Sequence, residues 1–393
     1  MRIAFAANPG LGHVLPLLPL ALASRAAGHD IAVLGGASLG PVLARHGLRH
    51  VVAGPPDLPS VMAHVPEAAG LTGARHAVLI WSRGFAGTVA PAIADALLGL
   101  AATWRPDLVV HDDSEQGAWI AAERLGIPHV ALQATAWRSA GVRLSAGPLG
   151  ALLASLGLPP DPHLARWHRH GYLATRPPAL QDADDPMPST VVPLRPVALD
   201  ELDATVPPWL DHGARSRPRV AVTLGTILPG RLEAIAAVLA ALRDLDVEVV
   251  AAVGPGLDPG ELGPQPGSVR VERYVAMSRL LATCDALVFH GGSGTMLAAL
   301  AEGVPLVLLP VAADQPENAA RCVAAGAGIR LGAGERGPTA IRLAVGRVLG
   351  EPAFLAGAVR VRGQLQAMPE PSAVLPRLEA LAAAGPEGVL AGV

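Results

Sequence analysis

The chain has 393 residues, 51% of them hydrophobic and 16% charged, with a formal net charge of -3. That balance excludes disorder as the main state, and at roughly 150 residues per domain it points to two domains. Its 30 basic residues, all arginine, form no clusters, and aromatics are only 3%, so neither a duplex-binding face nor a base-stacking surface is expected and no nucleic-acid partner is predicted. Cys284 and Cys322 show no metal-ligand spacing, which fits a reducing cytoplasm. The amino end lacks the charged and apolar regions of a signal peptide, and no apolar run reaches the roughly 18 to 20 residues of a membrane span, so no stable membrane insertion is expected.

Continuous apolar runs read as strands buried on both faces, as in parallel sheets. In the first half they are Arg2–Ala6, Ile31–Leu34, Leu108–His111 and Val130–Gln133. Ala- and Leu-rich helical stretches, such as Pro16–Ala27 and Gly117–Leu125, alternate with them. Leu144–Pro188 is rich in Pro and His without a clear period and reads as an insertion or loop over a ligand cleft. A polar, proline-bearing stretch from Leu199 to Pro218 interrupts the alternation. Strands resume at Val220–Leu224, Val247–Val253, Ala286–His290 and Leu306–Pro310, with the helix Met296–Glu302 among them, and a helical run Ala373–Ala384 lies in the tail. The predicted fold class is α/β: two doubly wound parallel-sheet domains, residues 1–204 and 219–369, joined by a linker at 205–218 and followed by a tail at 370–393. Ligands of such sheets bind beyond the carboxyl ends of the strands, so two facing edges favour group transfer between two substrates.

Two motifs carry chemistry. After the first strand comes Asn8-Pro-Gly-Leu-Gly-His13, in which glycines permit a tight turn and His13 starts a helix. It is no dinucleotide fingerprint, because Leu15 stands where the third glycine belongs and Asp30 precedes its strand, so an oxidoreductase is disfavoured. His13 reads either as a general base held by Asp112, at the end of Leu108–His111, or as a helix-start residue bonded to backbone. Asp112 reads otherwise as a cap on the helix beginning near Glu115, a role that Asp113 or Ser114 would serve equally well. The second motif, Phe289-His-Gly-Gly-Ser-Gly-Thr295, joins a strand to a helix. Bare glycine amides, the Ser293 and Thr295 hydroxyls, His290 and a helix amino end form an anion cradle suited to a diphosphate. Asp314 and Gln315 follow the next strand and can bond sugar hydroxyls; Tyr274 and Val275 can meet a base, and Thr226 a phosphate. Asp112-Asp113 and Asp184-Asp185 do not converge on the cradle, so no metal and no cofactor is predicted.

Taken in order, these motifs resemble one family nearly end to end. Gly12-His13, Pro106-Asp-Leu-Val-Val-His-Asp112, Val192-Pro-Leu-Arg195, Val222-Thr-Leu-Gly-Thr226, His290-Gly-Gly-Ser-Gly-Thr295 and Asp314-Gln315 are similar to the inverting glycosyltransferases of the GT-B fold, in particular the bacterial enzymes that decorate antibiotic aglycones. Gln133-Ala-Thr-Ala-Trp-Arg138 looks like the acceptor side of the deoxysugar transferases. The resemblance implies His13 as base, Asp112 as its orienter, and His290, Gly292, Ser293, Gly294 and Thr295 on the diphosphate. It implies Asp314 and Gln315 on the donor sugar, and a tail helix packed back on the first domain. An apolar acceptor would meet Trp81, Phe85, Gln133 and Trp137, with Trp167 either lining the pocket or in the core. The expected partners are a nucleotide-sugar and a small-molecule aglycone; the oligomeric state is left open, a homodimer included. This chain departs from the pattern at Tyr274, where relatives often carry Trp, and at Ala276, where they carry Pro. Ala298 stands where plant relatives place a ribose-binding Glu, which implies a donor without the ribose 2′-hydroxyl, a dTDP-sugar. The competing readings are a nucleotide-sugar epimerase on the same fold and a non-catalytic transferase-like partner protein; the intact motifs speak against the second.

Overall fold

A computed structural model describes residues 1–71, 73–137, 139–200, 207–210, 216–225, 231–254 and 256–390. The expected contact Thr226 and parts of the expected linker, 205–206 and 211–215, lie outside the described residues. The chain divides into two compact units. One comprises Met1–Arg176, Asp182–Pro196 and Met368–Val393; the other comprises Pro177–Gln181 and Val197–Ala367.

In the first unit, strands β1 (Arg2–Ala6), β2 (Asp30–Gly35), β3 (Arg49–Val52), β4 (Leu108–Asp112), β5 (His129–Leu132), β6 (Tyr172–Ala174) and β7 (Val191–Pro193) form one sheet. All neighbouring pairs are parallel, in the order β3-β2-β1-β4-β5-β6-β7. The order reverses between β1 and β4, whose register sets Phe5 opposite Val110 and Ala6 opposite His111. In doubly wound sheets such a reversal point opens a crevice beyond the carboxyl ends of the two strands. The second unit repeats the plan with β8 (Arg219–Thr223), β9 (Glu248–Ala252), β10 (Val269–Glu272), β11 (Ala286–Phe289), β12 (Leu306–Leu308) and β13 (Gly328–Arg330), ordered β10-β9-β8-β11-β12-β13. Its reversal falls between β8 and β11, with Thr223 opposite Phe289. The central strands of both sheets are buried almost throughout, as their unbroken apolar sequences require.

One expectation is corrected. Residues Arg75–Ala101 form a single 27-residue helix, long and apolar enough by composition to cross a membrane. Half of its most apolar window is buried within the protein, and Phe85, Val89, Ile93, Ala94 and Leu97 lie in the core cluster with Trp104 and Trp119. It is a core helix, hidden from a count of uninterrupted apolar residues by Arg83, Pro91 and Asp95. Ile80–Val89 within it winds as a π-helix. Pro91 offers no backbone N–H to the ladder just beyond, where a wider turn is least costly.

The stretch Leu144–Pro188 is also more regular than its composition suggests. Residues Ser139–Ser155 are helical despite Pro148, and β6 follows. Behind β5 lies a buried polar-aromatic cluster. His129 meets His170 edge-on at 4.6 Å and His111 at 5.7 Å, and Trp167 stacks on Trp119 at 6.3 Å and His168 at 5.2 Å. Trp167 is therefore core.

The tail belongs to the first unit. Its helix Pro371–Ala384 packs against Leu18–Ala26, and Arg195 bonds the Met368 carbonyl (3.0 Å) and the Glu370 carboxylate (2.8 Å). Beyond the helix, His170 Nε2 donates to the Pro386 carbonyl (2.9 Å), and the Leu390 N–H donates to the His170 carbonyl (2.6 Å). Leu390 is buried against Gly171. Leu390→Ala is expected to lower unfolding free energy by roughly 2 kcal/mol, read from urea denaturation.

Candidate active site

The loop after β1 delivers His13 to the crevice between β1 and β4. Gly10 precedes the short helix Leu11–Val14, in which His13 occupies the last turn. Its Nδ1 lies 2.7 Å from Asp112 Oδ2. Asp112 closes β4 and is fully buried. Burial alone would raise its carboxyl, but the His13 ring and the Ser114 bonds hold it below the usual carboxylate range. A carboxylate acceptor favours the tautomer of His13 that carries its proton on Nδ1. Asp112 does not cap the helix Ala118–Leu125. Glu115 takes that position, accepting from the N–H groups of Gly117 (2.6 Å) and Ala118 (3.0 Å).

Two buried residues complete this arrangement: Asn8, and Ser114, which the sequence offered only as a helix cap. The Ser114 hydroxyl lies 2.9 and 3.0 Å from the two Asp112 oxygens and 3.1 Å from His13 Nδ1. Asn8 Nδ2 donates to it at 2.9 Å. Asn8 opens a quoted motif and Ser114 lies two residues beyond another, but short polar residues beside a turn are too common for sequence to mark them.

Phe85 and Trp81 share a face of the π-helical segment. Phe85 meets the His13 ring edge-on at 5.7 Å, and Trp81 meets Phe85 at 6.2 Å. The structure brings these two together with His13. Gln133 and Trp137 are placed differently. Gln133 is fully buried, and its side-chain Oε1 accepts the Arg176 backbone N–H at 3.3 Å. Trp137 packs edgewise on His168 (5.3 Å) and Tyr172 (5.5 Å), in a satellite cluster with Ala131. Both brace the β5–β6 side of the sheet. Beside them, Asp113 accepts from the Tyr172 hydroxyl (2.7 Å) and the Ala134 N–H (3.1 Å), tying the end of β4 to β6.

In the second unit, β11 ends at His290, and the helix Ser293–Ala301 starts with Gly292 as N-cap and no side-chain cap. The first-turn N–H groups of Ser293, Gly294 and Thr295 therefore carry the helix's positive end. Gly291 turns with φ +94°. The His290 ring fits only because its neighbours lack side chains: a Cβ on Gly292 would stand 2.5 Å from Nε2, and one on Gly225 2.8 Å. Burial lowers the His290 imidazole, while Asp314 and the Thr223 carbonyl pull the other way.

The Ser293 hydroxyl donates to Asp314, and Asn318 Nδ2 donates to the Gly291 carbonyl (2.7 Å) and Ser293 Oγ (3.1 Å). Gln315 Oε1 accepts from the N–H groups of Val311 (2.8 Å) and Ala312 (3.0 Å). Asp314, Gln315 and Asn318 thus brace the cradle and its neighbouring loop, with Ala313 held at φ +56°. Tyr274 is 40% exposed, so it is not a core tyrosine, while Val275 is buried.

One group among the described residues has metal-type donors: Glu123, His129 and His170, with ligand atoms within 4.8 Å of one another. It does not suit a cation. Arg169 already pairs with Glu123 at 2.7 Å, and His170 Nδ1 accepts the His129 N–H at 3.2 Å while Nε2 holds the tail.

With this geometry in place, comparison with known proteins is specific. Residues 236–381 match the family described as "Erythromycin biosynthesis protein CIII-like, C-terminal domain". The chain is 31% identical to the 3-alpha-mycarosylerythronolide B desosaminyl transferase of Saccharopolyspora erythraea, across 98% of this chain and 99% of the relative. It superposes on the glycosyltransferase SnogD from Streptomyces nogalater with a TM-score of 0.78 at 32% identity, covering 97% and 99% of the two chains. With the glycosyltransferase VinC in complex with dTDP the TM-score is 0.80 at 27% identity, covering 98% and 100%. The fold is GT-B, and the chain belongs to the antibiotic glycosyltransferase family. It is a glycosyltransferase of antibiotic biosynthesis.

Titration of the buried groups yields a stability profile. Burial pushes His111 down to about 4 and His168 to about 3, and lowers His129 and His170 as well, so these rings stay neutral in the fold. Unfolded, they take protons below their ordinary value of 6.5, so their contribution is lost as pH falls below that value. Burial raises Glu115 to about 8, and Asp113 also rises, through burial and the neighbouring Asp112 charge. Their contribution is lost as pH climbs toward 8. The melting temperature should peak near pH 6.5 and fall on both sides, as read by scanning calorimetry; a value that climbs from pH 6.5 to 8 contradicts this account.

Proposed function

We propose that the protein transfers a deoxysugar from a dTDP-sugar to a hydroxyl of an apolar natural-product acceptor, such as a polyketide aglycone, with inversion at the anomeric carbon. The observation that carries this reading is the His13–Asp112 pair: an imidazole 2.7 Å from a fully buried carboxylate, at the chain-reversal point of the first sheet, with aromatic rings beside it. His13 Nε2 takes the acceptor proton as the acceptor oxygen bonds the anomeric carbon. The bond from that carbon to the diphosphate oxygen breaks on the opposite side, which inverts the centre. Asp112 stabilises the imidazolium that forms. Trp81 and Phe85 supply the apolar wall for the acceptor.

The leaving dTDP would be held by the cradle. The N–H groups at Ser293, Gly294 and Thr295, together with His290, face the developing phosphate charge, and no metal is required for that task. Tyr274 and Val275 would meet the base; Thr226, Asp314 and Gln315 would complete the donor contacts. The dTDP preference rests on Ala298, which offers no carboxylate to a ribose 2′-hydroxyl, and on the dTDP bound by VinC.

The test begins with a thermal-shift screen of nucleoside diphosphates, followed by mass spectrometry of products from a dTDP-sugar and a panel of polyketide acceptors. His13→Ala is expected to lose 100-fold or more of transfer, on the order of general-base contributions, while dTDP affinity measured by calorimetry is unchanged. Ordinary turnover in that variant removes the base. His290→Ala is expected to weaken dTDP binding about 10-fold, the cost of one charge-assisted hydrogen bond, and to leave acceptor binding alone. Matched dTDP and UDP donors should differ in favour of dTDP, and a strong UDP preference refutes that assignment.

A further inference from the structure

We propose that Ser114, backed by Asn8, is a positioning residue for the His13–Asp112 pair, fixing which carboxylate oxygen meets the imidazole and holding the ring in one orientation. The inference deepens the reading of His13 as base and rests on it.

The argument is one of hydrogen-bond capacity. A serine hydroxyl has one proton to give and two lone pairs. Asn8 Nδ2, which can only donate, lies 2.9 Å from Ser114 Oγ and takes one lone pair. Asp112 is charged and can only accept, so the hydroxyl proton goes to it, at 2.9 Å from Oδ1 and 3.0 Å from Oδ2. The remaining lone pair faces His13 Nδ1 at 3.1 Å and shares the proton that Nδ1 gives to Asp112 Oδ2 at 2.7 Å. Every site of the hydroxyl is then used, and no rotation keeps all of these bonds. The Ser114 N–H adds a bond to Asp112 Oδ1 at 2.9 Å, while Oδ2, which meets the imidazole, also receives the Asn8 N–H at 3.5 Å. Asn8, Asp112 and Ser114 are buried, so no water replaces a missing partner without rearrangement. The three residues come from the two strand ends that flank the chain-reversal point, and Ser114 links them.

Removing the hydroxyl leaves Asp112 with fewer donors. Its charge is then less stabilised and draws harder on the imidazolium, so His13 becomes more basic and less able to pass its proton on. The other titratable groups around the pair are His111, Asp113 and Glu115 at the end of β4 and Tyr172 from β6, each of which feels the Asp112 charge; Arg176 faces Asp113. They are the same in all variants compared, so the difference between variants reports the hydroxyl.

The test uses the full chain labelled with 15N-histidine, with the His13 resonances assigned by their loss in His13→Gln. It needs no acceptor. In Ser114→Ala the His13 titration midpoint is expected to move up by about half a pH unit or more, as a lost hydrogen bond to a charged neighbour requires, and Ser114→Thr is expected to restore it. Asn8→Ala should move it in the same direction by less, and the Ser114→Ala/Asn8→Ala pair no further than Ser114→Ala alone, because Asn8 acts through the hydroxyl. Unchanged dTDP affinity by calorimetry shows that the second unit is intact, and dispersed histidine resonances show that the first is folded. A midpoint in Ser114→Ala that is unmoved or falls overturns the proposal, as does a failure of threonine to restore it. The two readings fail separately: full turnover in His13→Ala defeats the base, whereas an inactive His13→Ala with an unmoved midpoint in Ser114→Ala defeats only the role of Ser114.

Discussion

A carboxylate with no exposed surface is costly to keep charged, and Asp112 is such a group. Its charge persists because donors converge on it: the imidazole of His13, the hydroxyl and backbone N–H of Ser114, and, at 3.5 Å, the backbone N–H of Asn8. Much of the first unit can be read as the means of supplying them. The reversal of strand order puts the ends of β1 and β4 side by side. The glycine-bearing turn after β1 brings His13 back over β4. Glu115 takes over the capping of the next helix, which releases Asp112 from a task its position would otherwise invite.

The second sheet solves a different electrostatic problem at the equivalent place. Its reversal lies between β8 and β11, but the loop there presents backbone N–H groups instead of a buried anion. One topology therefore houses a buried imidazole–carboxylate pair in one unit and a positive helix end in the other. The difference lies in the residues at the strand's carboxyl end: a buried acid closing β4, and three glycines among small hydroxyl residues after β11.

Central strands were legible in the sequence because they are buried on both faces and so apolar without interruption; β1, β4, β8 and β11 all read this way. The shorter strands β3, β6, β7, β10 and β13 were not. Arg49 and His50 in β3, Pro193 in β7 and the alternating charge of β10 belong to strands at or near sheet margins, where burial is incomplete and propensity uninformative. The long helix Arg75–Ala101 was missed because its apolar residues follow helical spacing and not a run. In the site, His13, Asp112 and the glycine cradle announced themselves by rare residue combinations. Asn8 and Ser114 did not, since their importance comes from meeting across a separation of 106 residues, which only the fold reveals. Gln133 and Trp137, whose types suit an acceptor pocket, pack on the β5–β6 side of the sheet, a placement that sequence alone does not give.

Met368–Val393 belongs to the unit that begins at Met1, although it follows the whole of the other unit in sequence. Recombination between relatives must respect that interleaving. A chimaera made with one crossover near residue 197 would pair the first lobe with a foreign tail, asking a stranger's residues to meet His170 and Arg195. Two junctions, one before Val197 and one after Ala367, transplant the second lobe and keep the native tail with its own lobe. Pro177–Gln181, which groups with the transplanted lobe, would be the one native segment left to match by hand.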